Sequence, residues 1–286
     1  MALDVPVFLK RTGSAIVFAI IMLAGLLWNQ WAFLLLIALI QVLCLREYFL
    51  LMKKVYPGNY WPSALPPLMQ VSGLAILFLA FNLYIAPDDM VSTGMVSMMI
   101  LLFLLPVLLL LSSVLSDKNF FTAMAQSLGG IVYIVSPAVM LLFMREKSLL
   151  IPVSLILMIW TNDTMAYLVG SFIGKHPLSK ISPKKTWEGT IGGALLTVAG
   201  AAIWGHYSHY YTMTDWMALA LCAAIAGNLG DLLESKLKRM ADVKDSGAIM
   251  PGHGGALDRF DSLLVATPFA FCYAFIFMSH LPIVIF

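Results

Sequence analysis

Residues 14–51 read SAIVFAIIMLAGLLWNQWAFLLLIALIQVLCLREYFLL, two apolar runs parted only by Asn29 and Gln30. A hydrocarbon core about 30 Å thick is crossed by about 17 to 25 helical residues. Two runs with so short a polar break predict a tight antiparallel pair of membrane helices. The first, Ser14 to Trp28, is short enough to lie tilted or incomplete. Working outward, further apolar stretches occur at Pro66 to Ile85, Met95 to Leu115, Leu128 to Met144, Leu149 to Phe172, Ile191 to Tyr207, Trp216 to Leu233 and Leu263 to His280. The expected fold is therefore an all-α polytopic integral membrane protein with about nine transmembrane helices, forming a single membrane domain over residues 1–286. Composition agrees: 61% of residues are hydrophobic and 11% charged, with a mean hydropathy of +0.91, so the bilayer is the solvent for most of the chain.

Lys10-Arg11 followed by an apolar run is similar to a secretory signal. No small-residue cleavage site precedes the next apolar segment, so a retained anchor is expected. The cysteines Cys44, Cys222 and Cys272 lie in apolar segments without C-x-x-C spacing, which argues against a disulfide framework or thiolate metal site. Basic residues near span ends stay on the cytoplasmic side. With the N-terminus inside, 15 of the 17 Lys and Arg residues fall in cytoplasmic segments and only Arg145 and Lys147 fall outside. That asymmetry predicts a cytoplasmic N-terminus and an external C-terminus. The cytoplasmic positive charge suits anionic lipid headgroups or nucleotide phosphates.

Residues 227–262, GNLGDLLESKLKRMADVKDSGAIMPGHGGALDRFDS, place six carboxylates and five Lys or Arg residues in this apolar chain. Asn228, Asp231, Ser235 and Lys238 recur at i, i+3, i+7 and i+10, the spacing of one helical face. A carboxylate so close to hydrocarbon needs a partner or a cation. Asp231 or Glu234 bridging Lys238 as a simple interfacial ion pair is an equally open reading of these residues alone. Asp258 and Asp261 follow Pro251-Gly252-His253-Gly254-Gly255, where a helix is expected to begin. Glycine backbone and a helix N-terminus favour phosphate. If that loop folds back, Asp258 and Asp261 oppose Asp231 and hold Mg²⁺, with a second cation also accommodated. Lys236, Lys238, Arg239, Lys244 and Arg259 then balance a polyphosphate.

A second polar loop runs Lys175-His176-Pro177-Leu178-Ser179-Lys180-Ile181-Ser182-Pro183-Lys184-Lys185-Thr186-Trp187-Glu188-Gly189. Its prolines oppose a continuous helix and predict a structured turn leading into the next span. Ser182, Lys184, Lys185 and Thr186 can contact phosphate, while a basic juxtamembrane loop can equally be a topology determinant. Asp163 lies inside an apolar segment, where a substrate role and a helix-packing role both stand. Gly170 and Gly174 make a G-x-x-x-G pair compatible with close helix contact or a homodimer.

Ser235-x-Leu237-Lys238-Arg239, Lys244-Asp245, His253-Gly254-Gly255 and Asp258-Arg259-Phe260-Asp261, in that order, closely resemble the C-terminal motif of the phosphatidate cytidylyltransferases, or CDP-diacylglycerol synthases. Ser182-Pro183-Lys184-Lys185-Thr186-Trp187-Glu188-Gly189 is similar to that family's second recurring motif. The resemblance covers roughly Asn162 to Asp261; Met250 and Ala256 depart from the family pattern at positions that concern packing. It implies transfer of the cytidylyl group of CTP to phosphatidic acid, giving CDP-diacylglycerol and pyrophosphate in phospholipid biosynthesis. It implies a bacterial inner-membrane protein that meets membrane lipids and no nucleic acid, with its site on cytoplasmic loops. By motif position it makes Asp231 and Asp258 the leading metal ligands, with Asp261 beside them. Lys238, Arg239, Lys244 and Arg259 become phosphate contacts; Ser182, Lys184, Lys185, Thr186, His253, Gly254 and Gly255 line the substrate pocket. A CTP-dependent lipid kinase would instead release CDP, and a secondary transporter would use Asp163 and Asp231 as an ion site.

Overall fold

A computed structural model describes residues 5–57, 65–85, 120–208, 210–249 and 254–278. Among them are eight helices: α1 (Val5–Leu27), α2 (Gln30–Val55), α3 (Leu65–Ile85), α4, α5 (Leu150–Ile173), α6 (Trp187–Tyr207), α7 (Met213–Met240) and α8 (Leu257–Ile276). Helix α4 comprises Phe120–Gly130, a π turn Ile131–Val135 and Ser136–Lys147. Six of the eight contain a stretch long and apolar enough to cross a membrane, so this is an all-helical polytopic integral membrane protein. The exceptions are α1, whose described apolar part is only Val17–Leu27, and α6. The span expected at Met95 to Leu115 lies outside the described residues.

The chain packs as two compact units. The first comprises residues 1–146 and 237–260. Its α1–α2 connection is as tight as the two-residue break predicts, because the Asn29 side chain accepts the Ala32 amide at 2.8 Å and starts α2 at Gln30. Helix α2 is central to this unit: Phe33, Cys44, Leu45, Leu51 and Phe49 are all buried. Trp31 meets Phe81 of α3 edge-on at 4.8 Å, and the Tyr48 hydroxyl donates to the Gln126 carbonyl of α4 at 3.1 Å. After Met240 the chain leaves α7 through Asp242, at φ 51°, with the Val243 amide returning to the Lys238 carbonyl at 3.0 Å.

The second unit comprises residues 147–236 and 261–286. Here α5 and α6 form a close antiparallel pair, made possible by Gly189 and Gly193 of α6 lying directly against Ala166 of α5. Thr212 and Asp215 form a capping box at the start of α7, and the Tyr273 hydroxyl of α8 donates to Asp215 at 3.0 Å. A π turn interrupts α7 at Cys222–Ala226. Immediately after it the Asn228 amide donates to the Ala224 carbonyl at 2.6 Å, supplying a polar partner where the regular ladder is disturbed.

Gly230 brings α7 onto the backbone of α8. A methyl group there would run into the Asp261 carbonyl and approach the Ser262 Cα to 3.0 Å, whereas one at Gly200 meets nothing within 4 Å. Gly230→Ala should therefore lower stability by about 1–3 kcal/mol, while Gly200→Ala should leave it unchanged or slightly raised. Unfolding of the two variants in matched detergent checks the contrast.

Candidate active site

Within the second unit, residues 174–187 are a tongue closed on itself rather than a loose basic loop. Pro177 and Thr186 form an antiparallel bridge; the Leu178 amide donates to the Lys185 carbonyl at 2.7 Å and the Trp187 amide to the His176 carbonyl at 2.9 Å. Thr186 starts α6 by accepting the Gly189 amide at 3.1 Å. Its side chain also fits against Gly170 and Gly174, where a Cβ would approach its hydroxyl to 3.0 and 2.6 Å. The G-x-x-x-G face is thus occupied inside the chain, which is the close-contact reading of that pair. It lends no support to a homodimer.

Glu188 ties the two ends of the tongue together. One oxygen accepts the Lys175 and His176 amides at 3.1 and 3.2 Å, and the other meets His176 Nδ1 at 2.5 Å. The His176 side chain first, then these backbone donors, hold the Glu188 carboxyl down to about 2.

This tongue delivers Lys185 to α7. Its ammonium is ion-paired with Asp231 and donates to Asn228 Oδ1 at 3.4 Å; Ser235 donates to the other Asp231 oxygen at 3.2 Å. Asp163 of α5 and Asp261 of α8 both lie within electrostatic reach of Asp231 and Lys185. The face carrying Asn228, Asp231 and Ser235 therefore forms as the spacing predicts. Its lysine partner comes from the other polar loop, not from Lys238. Ser182, which accepts the Lys185 amide at 3.1 Å through its carbonyl, and the exposed Lys184 belong to the same tongue.

The first unit holds a separate polar centre. Lys238 donates to Asp258 Oδ1 at 2.6 Å. Asp258 Oδ2 accepts the Ser246 amide at 2.9 Å and the Gly255 amide at 2.7 Å, and lies 2.8 Å from the Ser246 hydroxyl. Gly254, at φ 85°, makes the turn that lets Asp258 cap the loop, and a side chain there would also strike the Asp258 carboxylate. Arg239, Lys244 and Arg259 are exposed. His253 lies outside the described residues. A residue not singled out from the sequence, Glu47 of α2, is buried here and also bonds this loop.

The sequence matches the model of the Cytidylyltransferase family over residues 9–277. The chain belongs to the Cytidylyltransferase family. Both polar centres fall inside that match. Among curated proteins, the chain is similar to the phosphatidate cytidylyltransferase of Haemophilus influenzae, 41% identical over 128 residues covering 43% of this chain and 44% of that one. It is 47% identical over 115 residues to the Bacillus subtilis protein of the same name, covering 40% and 43% of the two chains. A third relative with that name, from Staphylococcus saprophyticus, is 38% identical over 165 residues, covering 56% and 63%. The chain thus spans about half the length of the curated relatives it matches.

Among the described residues no group of three or more His, Cys, Asp or Glu side chains would hold a metal by itself. Mg²⁺ commonly needs only one or two carboxylates when substrate phosphates complete its shell. Asp231 with Asp261 offers hard oxygen donors of that kind, and Asp231 already holds a cation in the Lys185 ammonium. The donor chemistry of the family member fits a divalent metal.

Because the Glu188 carboxyl is held down, its contribution to the fold is complete above the ordinary glutamate range and is lost only as pH falls towards about 2. Protection factors of the Lys175 and His176 amides should therefore hold from pH 7 to pH 4 in wild type. In Glu188→Gln they should fall already at pH 7. Hydrogen exchange read by mass spectrometry checks both statements.

Proposed function

We propose that this chain transfers the cytidylyl group of CTP to phosphatidic acid, releasing pyrophosphate and leaving CDP-diacylglycerol in the membrane. The observation that carries the reading is the Lys185–Asp231 pair, with Ser235 donating to Asp231, which brings the tongue motif to the helix face on which the C-terminal motif begins, in a chain that belongs to the Cytidylyltransferase family. The name borne by the three relatives, phosphatidate cytidylyltransferase, supports the same activity. The proposed architecture retains nine spans in a single membrane domain, with residues 162–262 carrying the chemistry.

In this reading the phosphatidate phosphate attacks the α-phosphorus of CTP in line. Because that phosphate is already ionised, no strong general base is needed. The protein has to hold two anions together and to receive the negative charge that moves onto the leaving pyrophosphate. Lys185 is suited to holding an anion, since its Asp231 partner keeps it in place and a phosphate can replace that partner. Lys238, Arg239, Lys244 and Arg259 are the proposed phosphate contacts, with Ser182, Lys184 and Thr186 beside Lys185 and His253, Gly254 and Gly255 in the glycine turn.

Mg²⁺, when bound, would neutralise polyphosphate charge and stabilise the leaving oxygen. Asp231 is the lead ligand. Motif spacing pairs it with Asp258, yet that carboxylate already accepts the Lys238 ammonium and the Ser246 and Gly255 amides and shares the one Ser246 hydroxyl proton with Glu47, which takes up most of its acceptor capacity. Asp261, in the same unit as Asp231, is therefore the stronger second ligand, and Asp258 a fixed counter-charge for Lys238.

Incubation with CTP labelled at the α-phosphorus, phosphatidate and Mg²⁺ should place label in lipid and release pyrophosphate; release of CDP with unlabelled lipid would instead indicate a kinase. Asp231→Asn and Asp261→Asn should each cut turnover about a hundredfold or more, a loss of about 3 kcal/mol of transition-state stabilisation, and change its Mg²⁺ dependence. Near-normal Mg²⁺ dependence of both variants would reject the ligand assignment.

The lysine and arginine asymmetry supports a cytoplasmic site and N-terminus, with the C-terminus outside. Single cysteines at positions 184 and 244 should resist an impermeant reagent in intact cells, while one at position 146 should react. The opposite pattern reverses the orientation.

A further inference from the structure

Glu47 sits in the middle of the apolar helix α2, next to exposed Arg46, yet its own side chain is turned inward and the residue is only 2% exposed. A carboxylate placed there costs several kcal/mol unless it is bonded. Its partners lie about two hundred residues later in the sequence. Glu47 Oε1 accepts the Ala256 amide at 3.0 Å; Oε2 accepts the Leu257 amide at 2.8 Å and the Ser246 hydroxyl at 2.8 Å. The two amides open α8, where the backbone carries unsatisfied donors and partial positive charge. The sequence makes room for this contact: a Cβ at either Gly247 or Gly255 would collide with the Glu47 carboxylate.

The single Ser246 hydroxyl proton is shared between Glu47 and Asp258, whose oxygens each lie 2.8 Å away, so the serine bridges the two carboxylates while donating to one at a time. Asp258 is the next residue after Leu257, and it holds Lys238. We propose that Glu47 is a positioning residue for cytidylyl transfer: it clamps Ser246 and the first turn of α8, and so fixes the Asp258–Lys238 pair at the glycine turn. This rests on the function proposed above. Glu47 itself does not touch substrate; its effect passes through backbone amides and one serine.

Glu47→Gln keeps size and one acceptor oxygen but turns an NH₂ donor toward groups that are already donors. Two readouts on purified, detergent-solubilised full chain test the idea: hydrogen exchange of the Ala256 and Leu257 amides, and steady-state kinetics with CTP and phosphatidate. The expected result is exchange faster by about tenfold or more at those amides, as for a lost charge-assisted bond, with unchanged exchange along α6. Turnover should fall by about tenfold or more with little change in the KM for CTP, and Glu47→Asp, which restores the charge, should recover part of both losses. Unchanged exchange at Ala256 and Leu257 would overturn the proposal. So would faster exchange with normal kcat, or equally faster exchange throughout the chain, which would make Glu47 a general stabiliser. If Glu47→Gln does not accumulate, Ser246→Ala removes one of the three bonds to Glu47 and is judged by the same criteria. Should wild type itself make no CDP-lipid, the functional reading fails, while the exchange comparison still decides whether Glu47 anchors the loop.

Discussion

The ammonium of Lys185 against the carboxylate of Asp231 is the interaction around which the second unit is arranged. A charge at the end of a membrane helix is tolerable only with a partner, and α7 itself gives Asp231 the Ser235 hydroxyl while the counter-charge is Lys185. The tongue before α6 brings that lysine in: its bridge at Pro177 and Thr186, its Glu188 tie and the seating of Thr186 against Gly170 and Gly174 all restrict where Lys185 can point. Side chains about a quarter exposed leave the pair open to water. A pair of this kind contributes little to stability, about 0–1 kcal/mol, so it is a weak brace, and under the proposed function its restricted geometry serves to receive an anion.

The first unit solves the same electrostatic problem differently. Asp258 and Glu47 are enclosed and satisfied by backbone donors, with Lys238 and Ser246 completing the set. Charge-assisted bonds of this sort are about twice as strong as neutral ones, and they hold a glycine-containing turn that would otherwise be free to sample many conformations. One centre is exposed with an exchangeable partner, and the other is closed and stiff. The reaction proposed for this chain would have a use for each property: a cation able to change partners, and backbone that does not move.

Helices are legible because hydropathy acts over whole segments. The α1–α2 break at Asn29 and the start of α6 at Thr186 follow from local capping chemistry, and both can be read from the chain. Local spacing does not give partners. Asn228, Asp231 and Ser235 announce a polar face, but the Lys185 that meets it is more than forty residues earlier, and Lys238 is the nearer cation in sequence. Glu47 escapes notice because a carboxylate beside Arg46 resembles an ordinary interfacial charge; its place within an apolar span is the available signal. Motif order offers Asp258 as a metal ligand, and nothing in the sequence reveals that Ser246 and Gly255 donate to it.

The π turn at Cys222–Ala226 changes how α7 must be counted. A wider turn acts as one residue inserted into an α-helix, so a helical wheel started at Trp216 and drawn through to Asp231 is wrong by about 100° beyond the insertion. The buried apolar stripe at Trp216, Leu219 and Ala220 and the polar stripe at Asn228 and Asp231 therefore belong to two different registers of a single rod. Each stripe can be optimised without rotating the other, so an apolar anchor and a charged end coexist on one helix without competing for the same face. A single-residue deletion inside that turn would erase the phase difference while leaving every side chain of both stripes in the sequence.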